Sequence, residues 1–507
     1  MGFRRFAALS LCLGFLTVPG AAFGQAKPSF ARYPLRLAHE FVAVYPADLN
    51  GNGLEALIVV QADRLQREPR LYAQVFLQSE NGFNAAGEAQ PLPNGVALAG
   101  CGRFGGVPGL ALLLPGEVQV WPWRAQRFAE SAALRLPVES VFPVTALEPI
   151  PNLQWIAGLT GNGESELIVP RFDGLEVIEF KDGKLTSLGR LAVRPRTRFW
   201  RGLTNQSIAH DLPVLFYRDV DGDGWQDVIA FNEGELWVFS LHGSGAGPIT
   251  PLIQQDLQPP EPFDPRKPYD PPMRLVMAGD LNGDKLLDLV ISKNAPTDSD
   301  FQSKSTTLVF FGRPSPAGVA FPDKADQVFP AEGFTLPIVL DLNADGREDL
   351  IQVNVEVTFW NAVRAIVSRS VKAEAGFYLM AEDGRYPRQA NEVESYSVNF
   401  SLSRFGHQPI ATWGDVNGDG LPDLLLSSGK RELGIHLGRP GKFWNSSADI
   451  KITDDLPINQ SRLIVRDLNG DKRHDMILTY TRDDNRQMPD TVGLLTVLMS
   501  RVEGKPK

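Results

Sequence analysis

The chain has little cysteine, little histidine and no surplus of positive charge. Its two cysteines are Cys12 and Cys101, and Cys12 lies in an N-terminal apolar stretch that reads as a leader. A processed chain keeps Cys101 alone, so no intrachain disulfide can form. Acidic residues outnumber basic ones by 60 to 50 and the formal net charge is −10, which excludes a broad basic surface for nucleic acid. Past the N-terminus no segment approaches the ~18 consecutive apolar residues of a membrane-spanning helix, so the mature chain is expected to lack a transmembrane segment. The six histidines, His39, His210, His242, His407, His436 and His474, follow no metal-ligand spacing. Also missing are His-Glu-x-x-His, Gly-x-Ser-x-Gly, a phosphate loop and paired metal-binding cysteines.

The N-terminus carries an export signal pattern. Arg4 and Arg5 precede an apolar stretch from Phe6 to Val18, Pro19-Gly20 breaks it, and Ala22-Phe23-Gly24 forms a small-x-small cleavage site. The alternative is a short membrane anchor. Cys12 sits inside the apolar stretch without a small residue before it, and so matches a lipoprotein attachment site poorly. The expected division is a signal peptide over 1–24 and one domain over 25–507, placed in the periplasm, at the cell surface or secreted.

What is abundant is a repeat. Nine-residue blocks of one internal order recur: DLNGNGLEA from Asp48, DVDGDGWQD from Asp219, DLNGDKLLD from Asp280, DLNADGRED from Asp341, DVNGDGLPD from Asp415 and DLNGDKRHD from Asp467. Two worn copies, CGRFGGVPG from Cys101 and GLTGNGESE from Gly158, share the frame. Successive starts are 53, 57, 61, 61, 61, 74 and 52 residues apart, a period that signals stacked supersecondary units. Each block is followed at once by a short run apolar on both faces, such as Leu57-Ile-Val-Val or Val228-Ile-Ala-Phe, and most are preceded by another. Bounded by turns at that length, such runs are strands buried on two sides. Radial sheets stacked face to face around an axis meet that demand, so the expected fold is an all-β propeller. Eight blocks predict eight four-stranded blades, with seven as the alternative if the copy at Cys101 merges into a neighbour. The final unit is short by a strand and the segment from Ala31 to Leu37 is spare. It is expected to pair with Val492 to Met499 and close the ring.

The blocks carry the chemistry. Asp or Asn occupies positions 1, 3, 5 and 9, and position 6 is usually Gly, which permits positive φ. A hard cation such as Ca²⁺ takes six to eight oxygens at about 2.4 Å. Side chains at alternate positions of a tight loop, with the carbonyl of position 7, can supply them. Five blocks are complete and place sixteen aspartates at such positions, which would repel one another without a cation. Read only as turn formers, Asp and Asn would not require the ninth-position acid to recur five times. About five Ca²⁺ ions are therefore expected. Ala56 leaves the loop at Asp48 doubtful, the copy at Gly158 lacks the first Asp, and no metal is expected at Cys101. Lys285 and Lys472 in place of the turn glycine should weaken their two sites.

The run Asp-x-Asx-Gly-Asp-Gly-x-x-Asp-Leu at this period resembles the FG-GAP/VCBS repeats of integrin α-subunit propellers and of many exported bacterial proteins. The resemblance covers nearly the whole mature chain, although the Phe-Gly element survives only in scraps such as Phe104-Gly105 and Phe405-Gly406 and integrin-like propellers have seven blades. It implies that Asp219, Asp221, Asp223, the Trp225 carbonyl and Asp227 ligate one ion. The corresponding sets are Asp280, Asn282, Asp284, Leu286 and Asp288; Asp341, Asn343, Asp345, Arg347 and Asp349; Asp415, Asn417, Asp419, Leu421 and Asp423; and Asp467, Asn469, Asp471, Arg473 and Asp475. The expected function is a binding or scaffold module for a protein or glycan outside the cytoplasm. The alternative is a carbohydrate lyase or hydrolase whose site is assembled at the central channel. Two features interrupt the repeat: a stiff proline-rich connection from Pro259 to Pro272, and a long unit whose stretch from Val355 to Tyr396 mixes aromatic and basic residues. The latter is read as a long hairpin with a solvated edge, or as a projecting binding surface.

Overall fold

The structure is a computed structural model describing residues 28–65, 69–142, 153–201, 206–242, 247–257, 273–295, 304–332, 334–355, 370–399, 410–429, 431–439, 443–445, 447–459 and 462–502. The leader over 1–24 and the proline-rich connection over 259–272 lie outside the described residues, as do Phe359 and Trp360.

Eight sheets of four or five mainly antiparallel strands follow one another along the chain. They form blade 1 (40–91), blade 2 (98–137), blade 3 (156–191), blade 4 (214–256), blade 5 (273–332), blade 6 (334–399), blade 7 (411–453) and blade 8. Blade 8 takes Leu463–Arg466, Asp475–Thr479 and Leu494–Val502 from the C-terminal end, and Pro28–Arg36 from the N-terminal end. The eight-blade expectation holds, and so does the closure. Ala31 pairs with Met499 and Arg36 with Leu494 in an antiparallel ladder, and the Leu37 N–H donates to the Gly493 carbonyl at 2.8 Å. Arg32 on this strand also pairs with Asp454 of blade 7 at 2.6 Å.

The second strand of each blade explains why the ring must close. Its side chains alternate between the two sheet faces, and both faces are apolar. In blade 1, Ile58 and Val60 enter the core shared with blade 2, while Leu57 and Val59 enter the core shared with blade 8. In blade 2, Leu110 and Leu112 face blade 1 while Ala111 and Leu113 face blade 3. Val228 and Ala230 of blade 4 face blade 3, and Ile229 and Phe231 face blade 5. Leu350 of blade 6 faces blade 5 and Ile351 faces blade 7. Met476 and Leu478 of blade 8 face blade 7, and Ile477 faces blade 1. Each of these residues is almost completely buried, and full burial of such a side chain contributes about 1.5–3 kcal/mol.

Two of the aromatic residues in the long unit of blade 6 lie in these cores instead of projecting. Phe377 is fully buried and stacks on Phe443 of blade 7 with ring centroids 4.3 Å apart. Tyr386 is buried against Phe329, and its hydroxyl donates to the Glu348 carbonyl at 2.8 Å. Phe377 and Tyr386 thus pack blade 6 against blades 7 and 5.

Removing Pro28–Arg36 should open the edge of Leu494–Val502 and strip Leu35 from the core between blades 8 and 1. Thermal unfolding of the truncated chain should occur several degrees lower, with more aggregation. An unchanged melting temperature would show that the strand does not hold the ring.

Candidate metal loops

In the six blocks that begin with Asp, eight residues form the loop between the first and second strands of a blade. The ninth begins the second strand, opposite the residue before the block: Arg218 pairs with Asp227, Gly279 with Asp288 and Gly414 with Asp423. The first Asp curls the loop by accepting backbone N–H groups from inside it. Asp219 accepts from Gly222 at 2.8 Å and Gly224 at 2.9 Å, Asp280 from Gly283 at 2.7 Å and Lys285 at 2.8 Å, and Asp415 from Gly418 at 2.6 Å and Gly420 at 2.8 Å. Asp467 does the same with Gly470 and Lys472, and Asp341 accepts from Gly346, each at 2.8 Å. The fifth-position Asp accepts from the seventh N–H, as Asp284 does from Leu286 at 2.8 Å.

This curl puts both positions 4 and 6 in the left-handed region. Lys285 (φ +67°) and Lys472 (φ +66°) adopt it at position 6, where their side chains cost energy. Position 4 has the same requirement, with Gly222 at +81°, Gly418 at +76° and Ala344 at +58°. The near-invariance of glycine at position 4 is the signal for it in the blocks.

The ninth-position Asp works as a clasp. Asp227, Asp288, Asp349, Asp423 and Asp475 are fully buried. One oxygen of each accepts the N–H of position 2, at 2.8 to 3.1 Å. The other oxygen of Asp288, Asp349, Asp423 and Asp475 accepts an N–H from the third strand or the residues after it: Gly312, Met380, Gly438 and Ser500, at 2.7 to 2.9 Å. Burial pushes these carboxyls up, to about 7 for Asp288, Asp423 and Asp475 and about 6 for Asp227 and Asp349. Backbone hydrogen bonds oppose that rise, and the neighbouring loop aspartates add to it.

The donor set fits a hard divalent cation. Carboxylate oxygens of Asp219, Asp221 and Asp223, and likewise of Asp280, Asp284 and Asp288, lie within 4.8 Å of one another. That is about the largest separation of two oxygens both bound at 2.4 Å. Three loops also bring a cationic or proton-donating side chain to the fifth position. Arg347 donates to Asp345 at 2.7 Å, Arg473 pairs with Asp471, and His242 Nδ1 lies 2.9 Å from Asp223 while its ring stacks on Trp225. Although burial pulls the other way, the Arg347 guanidinium holds Asp345 below the usual carboxylate range.

The incomplete copies show what remains when ligands are lost. At Gly158 the first Asp is gone, yet buried Glu166 keeps the clasp, accepting from the Leu159 N–H at 2.6 Å and the Thr160 hydroxyl at 2.7 Å. At Asp48 the curl survives, with Gly51 and Gly53 donating to Asp48 at 2.8 and 2.9 Å, and Ala56 stands where the clasp would be. At Cys101 strand runs straight into strand through Gly105 (φ +64°) and Gly106 (φ +72°), with Phe104 opposite Val107.

A polar cleft of about 690 Å³ opens between blades 8 and 1, lined by Tyr33, Asn52, Glu80, Asn469, Asp471 and Arg501 among others. Some of its polar groups are already engaged with one another: Arg501 donates to the Tyr33 hydroxyl at 2.7 Å, and Asp471 holds Arg473.

Two outcomes follow from the clasp. Glu166→Ala leaves buried donors at Leu159 and Thr160 unpaired and should cost about 1–3 kcal/mol, equally with calcium and with chelator. Chemical denaturation in both buffers measures this, and a loss seen only with calcium would contradict it. The second concerns pH without metal. A carboxyl that titrates near 4 unfolded and near 6 to 7 folded binds more protons in the folded state across that window. The metal-free protein should therefore gain stability as pH falls from about 7 towards 4. A calcium ion held by these carboxylates would compete with those protons, so any stabilisation by calcium should shrink over the same range. Melting curves at pH 7.5 and 5.5, with calcium and with chelator, decide the sign.

A family model agrees with the repeat. The FG-GAP-like repeat family model matches residues 219–291 and 415–478, which hold the blocks at Asp219, Asp280, Asp415 and Asp467. No curated protein matches significantly. Among solved structures, the Vibrio cholerae biofilm matrix protein Bap1 is similar at 12% identity and a TM-score of 0.39, covering 92% of this chain and 88% of that one. An Agrocybe aegerita lectin that recognises non-reducing terminal N-acetylglucosamine is similar at 13% identity and a TM-score of 0.38, covering 75% and 87%. The chain carries FG-GAP-like repeats over residues 219–291 and 415–478 and folds as an eight-bladed β-propeller.

Proposed function

We propose that the protein is an exported calcium-binding propeller that acts as a binding or scaffold module for a protein or glycan partner outside the cytoplasm. The observation that carries the calcium reading is the loop at Asp280. It brings three carboxylate oxygens within 4.8 Å of one another while their own backbone keeps the loop curled around them. The same curl recurs at Asp219, Asp341, Asp415 and Asp467, so five ions are assigned, with side chains at positions 1, 3, 5 and 9 and the carbonyl of position 7 as ligands. Loops this exposed suit the higher calcium concentrations outside the cell, where affinities of 10⁻⁴ to 10⁻³ M suffice. Arg4, Arg5 and the apolar stretch after them support export. Among the described residues, the groups of three carboxylates with metal-ligand geometry both lie in these loops. His436 is taken up by the Asn445 carbonyl at 2.6 Å and His39 by stacking on Tyr72.

An ion that binds only the folded state stabilises it by about 2.7 kcal/mol at a hundredfold excess over its dissociation constant. Excess calcium should raise the melting temperature by many degrees over chelator. Asp219→Ala and Asp415→Ala should each lose part of that rise, and Asp48→Ala much less, because Ala56 already removes a ligand from its loop. Coincident melting curves in calcium and chelator would reduce the loops to turns and remove the metal from the function.

A further inference from the structure

The loops touch one another across the blade boundaries in a repeated way. In three boundaries the N–H of position 8 donates to a carbonyl at position 1 or 2 of the preceding blade's loop: Glu55 to Leu468 at 2.9 Å, Glu348 to Leu281 at 2.8 Å and His474 to Asp415 at 2.6 Å. The Asp415 N–H answers by donating to His474 Nδ1 at 3.0 Å. At two of these boundaries, and also between blades 3 and 4, the position-7 side chain lies over the position-4 glycine of the preceding loop. Arg473 Cγ is 2.9 Å from where a Gly418 Cβ would stand, Arg347 Cγ is 3.7 Å from that of Gly283, and the Trp225 ring is 2.6 Å from that of Gly161. Between blades 6 and 7, and between blades 1 and 2, position 8 is Pro422 or Pro108, which has no N–H to give.

We propose that calcium binding is coupled between neighbouring loops within two groups, Asp280 with Asp341 and Asp415 with Asp467, and is uncoupled across Pro422. This rests on the calcium reading above and goes beyond it. An ordered loop at Asp415 supplies both the carbonyl that His474 N–H uses and the glycine face on which Arg473 packs. When calcium orders that loop, the loop at Asp467 meets a ready-made support and loses less conformational freedom on binding its own ion. When the first loop is empty, its neighbour must be ordered against a mobile surface and binds more weakly. Reciprocity requires the same factor in the opposite direction. The hydrogen-bonded half of that support is missing between the loop at Asp341 and the loop at Asp415, because Pro422 has no N–H to donate.

Hydrogen exchange read by mass spectrometry, over a calcium titration of the full chain, reports a separate midpoint for each loop's peptide. The near-isosteric Asp419→Asn weakens the loop at Asp415 without removing its backbone contacts. It should raise the midpoint of the 467–475 segment about fivefold or more and leave that of 341–349 in place. Asp345→Asn should raise the midpoint of 280–288 and leave 415–423 unchanged. A shift confined to the substituted loop would overturn the coupling, and so would an equal shift in all five loops, which marks general destabilisation. If no segment of the unsubstituted protein responds to calcium, the calcium reading itself falls.

Discussion

The burial of both faces of the second strand in most blades is the constraint on which the rest depends. A strand such as Asp227–Asn232, buried at every position, cannot end a sheet stack at either side. Each blade therefore needs two neighbours, and a linear array would leave two blades with one each. The ring closes because the chain lends Pro28–Arg36 to the last blade, so its two ends are joined inside blade 8 by a full antiparallel ladder, and a core backs that blade against blade 1. Any ligand chemistry is carried at the turns of this closed frame, where loops connect strands that cannot move independently.

Much of this was legible in the sequence because one device is repeated. The block marks the turn, its ninth residue marks the start of the second strand, and the apolar run after it gives the two-sided burial. The closure was legible from a missing strand at one end and a spare one at the other. The fate of the aromatic residues in blade 6 was not, because Phe377 and Tyr386 look alike in composition whether they project or fill a core. Their burial is decided by Phe443 and Phe329 on other blades, far away in the chain. The approach of His242 to Asp223 was equally silent, being made across a hairpin nineteen residues long.

Within the loops, the aspartates divide two tasks that the spacing alone cannot separate. The first and ninth build the loop, since their oxygens accept backbone N–H groups at the curl and at the clasp. The third and fifth have fewer such bonds and supply most of the remaining oxygen lone pairs. Loss of a block can therefore proceed in stages. The copy at Gly158 has lost the first ligand and kept the clasp as Glu166, whereas the copy at Asp48 has kept the curl and lost the clasp. Cys101 to Gly109 has dispensed with the loop, and a two-glycine turn suffices because the strands on either side remain buried.

The same division explains why basic side chains gather at the fifth position and not at the ninth. Arg347, Arg473 and His242 reach a carboxylate near the loop surface, where water partly screens the contact. A side chain entering beside the ninth Asp would have to be buried and would displace the backbone donors that hold the second and third strands together. The surface carboxylate can therefore be shared between a side chain and an ion. The buried one must hold the blade whether or not an ion is present, and this makes the ninth position the point where the frame and the loop meet.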